Sequence, residues 1–273
     1  MNPSRQSPVR DAALTAAVLT LLAAVFLVPF RAASAWTGGT YPSIGALRDS
    51  LTAAFVTFWA GGDKSLGPDL TDVVDFWAKF HIVKALLAVA LLAASVLLGR
   101  RLWVGYVQAS SWPRRLGLAF AGIVDATVAL LALVIAVANV QGAIAPLSSV
   151  LGVMPVGTPG PGLAGTVHDV RHDLASGSTT APLNRLVEDF AGYHVAMVVL
   201  GALVTGGLLA AVVLAWRRRR GLPRAERRER RLLALSAVAL LGLAAFFGLI
   251  TAANASTVAS PAPALLGFFE GGA

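Results

Sequence analysis

Hydrophobic and polar positions alternate in this chain as blocks. Five runs of about 20 apolar residues (Ala12 to Phe30, Phe80 to Leu98, Ala126 to Ala145, Tyr193 to Trp216 and Leu232 to Ala253) are separated by polar stretches. About 20 apolar residues is the length a helix needs to cross a bilayer. The blocks therefore predict an all-α polytopic membrane protein, a bundle of five transmembrane helices. With 56% hydrophobic residues, 13% charged and a mean hydropathy of +0.73, the chain lacks the polar surface that facing water all round requires.

The polar stretches sort by charge. Fifteen basic residues fall in the amino terminus and in the second-to-third and fourth-to-fifth connections, against six in the other connections, which with the carboxyl tail hold ten acids. Positive residues stay in the cytoplasm, so the amino terminus is expected inside and the carboxyl terminus outside. The sequence pI near 11.0 is on this reading a topology signal. Arg217, Arg218, Arg219, Arg220, Arg227, Arg228, Arg230 and Arg231 in the fourth-to-fifth loop are expected to contact anionic lipid on the inner face; no nucleic acid is expected. After the first run, Ala33-Ser34-Ala35 fits a signal-peptidase site. The run is longer than a signal core, which favours a retained helix. Arginine outnumbers lysine 19 to 3, and with the Ala/Val/Leu/Gly bias this suggests a GC-rich bacterial genome and a bacterial cytoplasmic membrane.

A repeat is visible in the polar parts. "PDLTDVVDFWAKFHI" from Pro68 and "PLNRLVEDFAGYHV" from Pro182 share Pro, Asp-Phe, an aromatic and His, with an offset of 114 between the prolines. The same offset carries Asp11 onto Asp125. The chain then reads as two parallel two-helix repeats plus one extra helix. The first repeat is 1–115, with helices at about 12–30 and 80–98 and an outer segment 31–79. The second is 116–231, with helices at about 126–145 and 193–216, outer segment 146–192 and the Arg-rich inner loop 217–231. Residues 232–273 form the fifth helix and an outer tail. On this register Asp125 caps the third helix at the inner edge; the competing reading makes it an intramembrane proton carrier. In the first outer segment Phe55, Phe58 and Trp59 suggest an interfacial helix. In the second, "PLSSVLGVMPVGTPGPGLAG" is too rich in Gly and Pro for a helix.

All four histidines, His81, His168, His172 and His194, fall on the expected outer side. His168 and His172 stand at i and i+4, the spacing that grips one metal from a helix face, but no third ligand follows. His168 with Asp173 also fits a loose His-x4-Asp pattern. A polar surface helix accounts for these residues as well. His81 and His194 head membrane runs beside Phe80 and Tyr193, as interfacial rings do. Their alternative use is as a pair of ligands for haem or for copper. Met197 offers a soft ligand near His194, but Lys84 stands at the matching place in the first repeat. With no cysteine, thiolate sites are excluded, and no hydrolase triad or phosphate loop is present. The expected function is a non-catalytic accessory, assembly or scaffold component meeting other membrane proteins. The alternatives are an outer-face redox protein using His81 and His194, and a small-molecule or ion transporter.

Overall fold

The computed structural model describes residues 8–271, and among them every regular element is a helix. The order is α1 (Pro8–Leu27), α2 (Pro29–Trp36), α3 (Ile44–Gly61), α4 (Gly67–Gln108), α5 (Trp112–Ile144), α6 (Pro146–Leu151), α7 (Pro161–Ser176), α8 (Ala181–Gly221), α9 (Arg227–Ala259) and α10 (Pro261–Phe269). Five of them, α1, α4, α5, α8 and α9, are long and apolar enough to cross a membrane.

Four of these spans are longer than their apolar runs, because amphipathic turns are added at their ends. At the start of α4, Leu70, Val73 and Phe76 are buried while Asp69, Asp72 and Asp75 alternate with them. That i, i+3 spacing puts one stripe against protein and leaves the carboxylates outside it. Hydropathy alone registers only the lipid-length part of such a helix. Leu183 and Leu186 do the same at the start of α8.

Proline sets the breaks. Three times a long helix is followed, one residue later, by a short helix opening on proline: Pro29, Pro146 and Pro261. Proline lacks the N–H that the preceding turn would use and pushes the residue before it out of the α region. Ala145 (φ −128°, ψ 68°) and Ser260 (φ −145°, ψ 71°) occupy that strained-out position. Proline at the first turn costs nothing, which corrects the expectation that residues 146–165 are too rich in Gly and Pro for helix. Their two ends form α6 and the start of α7, and 152–160 between them are turns.

The contacts divide the chain into two compact units. The first comprises residues up to 29, 83–139 and 205–245. Its core is small-residue packing: Val18, Val25, Ala88, Leu91, Leu98, Ala132 and Ala136. Leu86, Phe120, Ile123, Leu235 and Val238 face outward from it, as lipid-facing side chains would. The second comprises 30–82, 140–204 and 246–273 and has a larger, aromatic core. There α7 packs against α3 and α10, burying Leu163, Val167 and Val170 against Leu47, Leu51 and Phe269. Phe55 and Phe58 are buried in this core. They are protein-facing, not the lipid-facing edge of an interfacial helix, because α3 has a protein partner to cover it. Ala33 of the small-residue pattern is fully buried there too. Each unit draws on both halves of the chain.

Candidate functional site

His81 lies on α4 and is buried, in the second unit. Its Nε2 is 2.9 Å from Ser149 Oγ on α6, and the same hydroxyl accepts from Trp77 Nε1 at 3.1 Å. A serine has one proton to give. It also has two lone pairs, one of which takes the Trp77 N–H, so either tautomer of His81 can bond it through Nε2. The indole stands edge-on to the imidazole, 5.1 Å between centroids at 86°. On the other side the ring presses on Gly142 of α5. A Cβ placed there would fall 2.6 Å from His81 Cε1 and Nε2. Only glycine leaves room for the imidazole.

His194 lies on α8 in the same unit. Its Nδ1 is 2.7 Å from Asn254 Oδ1 on α9, while Asn254 Nδ2 donates to Ile250 O at 2.8 Å. That second bond fixes the amide's orientation. The oxygen must therefore face His194, and Nδ1 must be the donor. Phe190 packs edge-on against the ring at 4.6 Å. Seven residues further along α8, Gly201 lies where a Cβ would overlap Thr251 Oγ1 of α9. Gln141 of α5 donates to Tyr193 O of α8 at 3.0 Å. Polar side chains thus join α4 to α6, α5 to α8 and α8 to α9, the way polar groups tie helices where no water competes.

His81 bonds Ser149 and His194 bonds Asn254, and no group of three or more His, Asp or Glu able to hold a metal occurs among the described residues. His168 and His172 are exposed on α7, whose opposite face carries Leu163, Val167, Val170 and Leu174 into the core. The i, i+4 pair is the solvent stripe of an amphipathic helix.

Asp125 does not take its expected capping role. Helix α5 begins at Trp112, with proline at its first turn, and runs unbroken past Asp125, so this carboxylate caps nothing. The cap reading is corrected: "LGLAFAGIV" continues the helix because no breaker separates it from Ala126. Asp11, its supposed counterpart, sits instead in the first turn of α1, 3.7 Å from Arg101. Asp125 is buried with Oδ2 against Gly99 of α4, where a Cβ would come within 2.8 Å, and Ser95 is beside it. Its Oδ1 has no hydrogen-bond partner among the described residues. Contact with Gly99 places it at the level of the Arg100–Arg101 pair.

Several of the loop arginines are occupied with helix ends. Arg230 donates to Arg219 O and Leu222 O, both at 2.8 Å, at the end of α8; Arg228 donates to Val107 O and Ala109 O at the end of α4. Terminal carbonyls lack intrahelical donors and carry the negative end of the dipole, so these two cations close the helices. Arg218 pairs with Glu229 at 2.6 Å, and Arg219 lies 4.8 Å from the Trp216 ring centroid. Arg217, Arg220, Arg227 and Arg231 remain exposed.

Sequence reading missed Gly142, Ser149 and Asn254. The asparagine had a signal: an amide in an otherwise apolar span is a marker for interhelical bonding. Asn139 and Asn254 each stand seven residues before a helix-breaking proline, and each returns its Nδ2 to the carbonyl four residues back, Ile135 and Ile250. No known family model, curated protein or solved structure matches this chain.

Proposed function

We propose that this chain is a non-catalytic component of a bacterial cytoplasmic membrane, an accessory, assembly or scaffold subunit that offers residues 31–79 and 146–192 to other membrane proteins. The observation that carries this reading is the use made of the two histidines heading membrane runs. Both hold neighbouring helices through hydrogen bonds, to Ser149 and to Asn254. A ligand set for haem or copper needs imidazoles that converge on one ion; these are spent on separate partners. Both outer segments fall wholly within one compact unit, so they are offered to a partner as one packed surface. The arginine distribution supports an inner amino terminus and an outer carboxyl terminus. The three long-helix, proline, short-helix segments favour α9 with α10 as the opening of a third copy of the repeated unit, in place of an unrelated addition.

The test is a double-mutant comparison. His81→Ala and His194→Ala should each destabilise the purified protein, and the double variant should lose the sum of the two, as separate sites do. An optical spectrum and metal content on the same samples complete it. A haem band or a stoichiometric metal lost on either substitution, with non-additive stability, would overturn this reading in favour of a shared redox site.

A further inference from the structure

Within the first unit a cleft of about 530 Å3 opens at the arginine-rich end of the helices, lined by Arg100, Trp103 and Val104 of α4, Arg218 of α8, and Leu233 and Ser236 of α9. Its volume is that of a small-molecule site. Its polar lining is weighted toward donors: two guanidiniums, an indole N–H and a hydroxyl, with no carboxylate among the lining residues. Its remaining walls, Val104 and Leu233, are apolar. Val104 is itself among the exposed apolar side chains of this unit.

Charge narrows the occupant. Arg218 is bonded to Glu229 through Nη2, which takes up one unit of charge. Arg100 is exposed and makes no ion pair among the described residues. The lining therefore carries one uncompensated cation, which suits a group with a single negative charge, with a planar fork able to bond two oxygens of it. A phosphodiester carries one negative charge. Free phosphate at neutral pH carries more, and has nothing to place on Val104 and Leu233. Basic pockets between membrane helices recognise phospholipid headgroups by this combination.

We propose that this cleft is a specific site for a phosphate-bearing amphiphile, an anionic phospholipid whose phosphodiester lies between Arg100 and Arg218 while its first acyl carbons lie on Val104 and Leu233. Trp103 donates to the headgroup from the interfacial position where indoles gather. The site rests on the reading of the chain as membrane-spanning and is independent of the histidines.

The experiment is native mass spectrometry of the full chain in detergent, titrated with phosphatidylglycerol or with phosphatidylcholine of the same chains, and with inorganic phosphate as competitor. The wild type should retain one phosphatidylglycerol in preference to phosphatidylcholine. Arg100→Gln should weaken that binding about tenfold, the loss of one charge-assisted contact. Arg224→Gln, an exposed arginine outside the cleft, should leave it unchanged. Retention of phosphatidylglycerol that inorganic phosphate does not displace assigns the source as lipid. Displacement by phosphate alone overturns the lipid and leaves a soluble phosphate as occupant. Equal retention of the two lipids, or equal losses in Arg100→Gln and Arg224→Gln, would reduce the cleft to unspecific charge and overturn the site. None of these outcomes bears on the scaffold reading, which the histidine variants decide.

Discussion

Gly142→Ala is the sharpest perturbation of the helix packing. In an exposed helix the change should help, since alanine is favoured over glycine by about 1 kcal/mol. Gly122 provides that case on the same helix: a Cβ there meets nothing within 4 Å. At Gly142 the new methyl falls 2.6 Å from two ring atoms of His81 and 2.7 Å from a third. The obstacle is a stiff ring, held by Ser149 at 2.9 Å and by the edge of Trp77. Overpacking of this kind costs about 1–3 kcal/mol, and displacing His81 from Ser149 forfeits about another 1 kcal/mol. Propensity cancels between the two substitutions, so Gly142→Ala should be less stable than Gly122→Ala by about 2–4 kcal/mol. At roughly 2–4 °C per kcal/mol for a chain of this size, the melting temperatures should differ by about 4–16 °C. Thermal unfolding in detergent, followed by loss of the monodisperse peak, measures this directly. Adding His81→Ala removes the ring and should restore much of the loss, a coupling a purely local backbone effect would not give. Equal melting of Gly142→Ala and Gly122→Ala would refute the close approach of α4 and α5 at His81.

Two further outcomes follow from the second unit. Arg171 of α7 donates from Nε to Phe269 O at 2.8 Å and from Nη2 to Val156 O at 3.1 Å, with a second, shorter bond from Nη2 to Phe269 O. Arg171→Ala should loosen the end of α10 by roughly 2 kcal/mol, read as about thirtyfold faster amide exchange in α10; unchanged protection would refute it. Tyr41 is buried against Phe76 at 5.0 Å, and its phenol is raised above the usual value by burial and then by the charges of Asp72 and Asp69. A raised folded value means stability is fully present below about pH 10 and is lost as pH climbs through the folded value. Tyr41→Phe should flatten that alkaline loss in unfolding measured against pH, and an unaltered profile would count against the burial argument.

The five spans, their all-helical character and the arginine-rich connections were legible in the residues, because lipid selects for runs of apolar side chains whatever the neighbours do. The histidines heading two of those runs were legible as well, but their use was not. Whether His81 meets an ion, lipid or a serine depends on which residue of α6 and which of α5 lie opposite it, and that register is decided by packing. The same holds for Phe55 and Phe58. Their spacing announces an apolar face but cannot say whether protein or headgroups cover it. Asp125 failed for a related reason. A one-dimensional offset equated it with Asp11 at a helix start, whereas the unbroken helix from Trp112 sets it inside the helix, against Gly99. Proline and apolar length act through the chain's own backbone and can be read along it. Glycine paired with a ring, a carboxylate or a hydroxyl acts between helices, and only the folded register brings those pairs together.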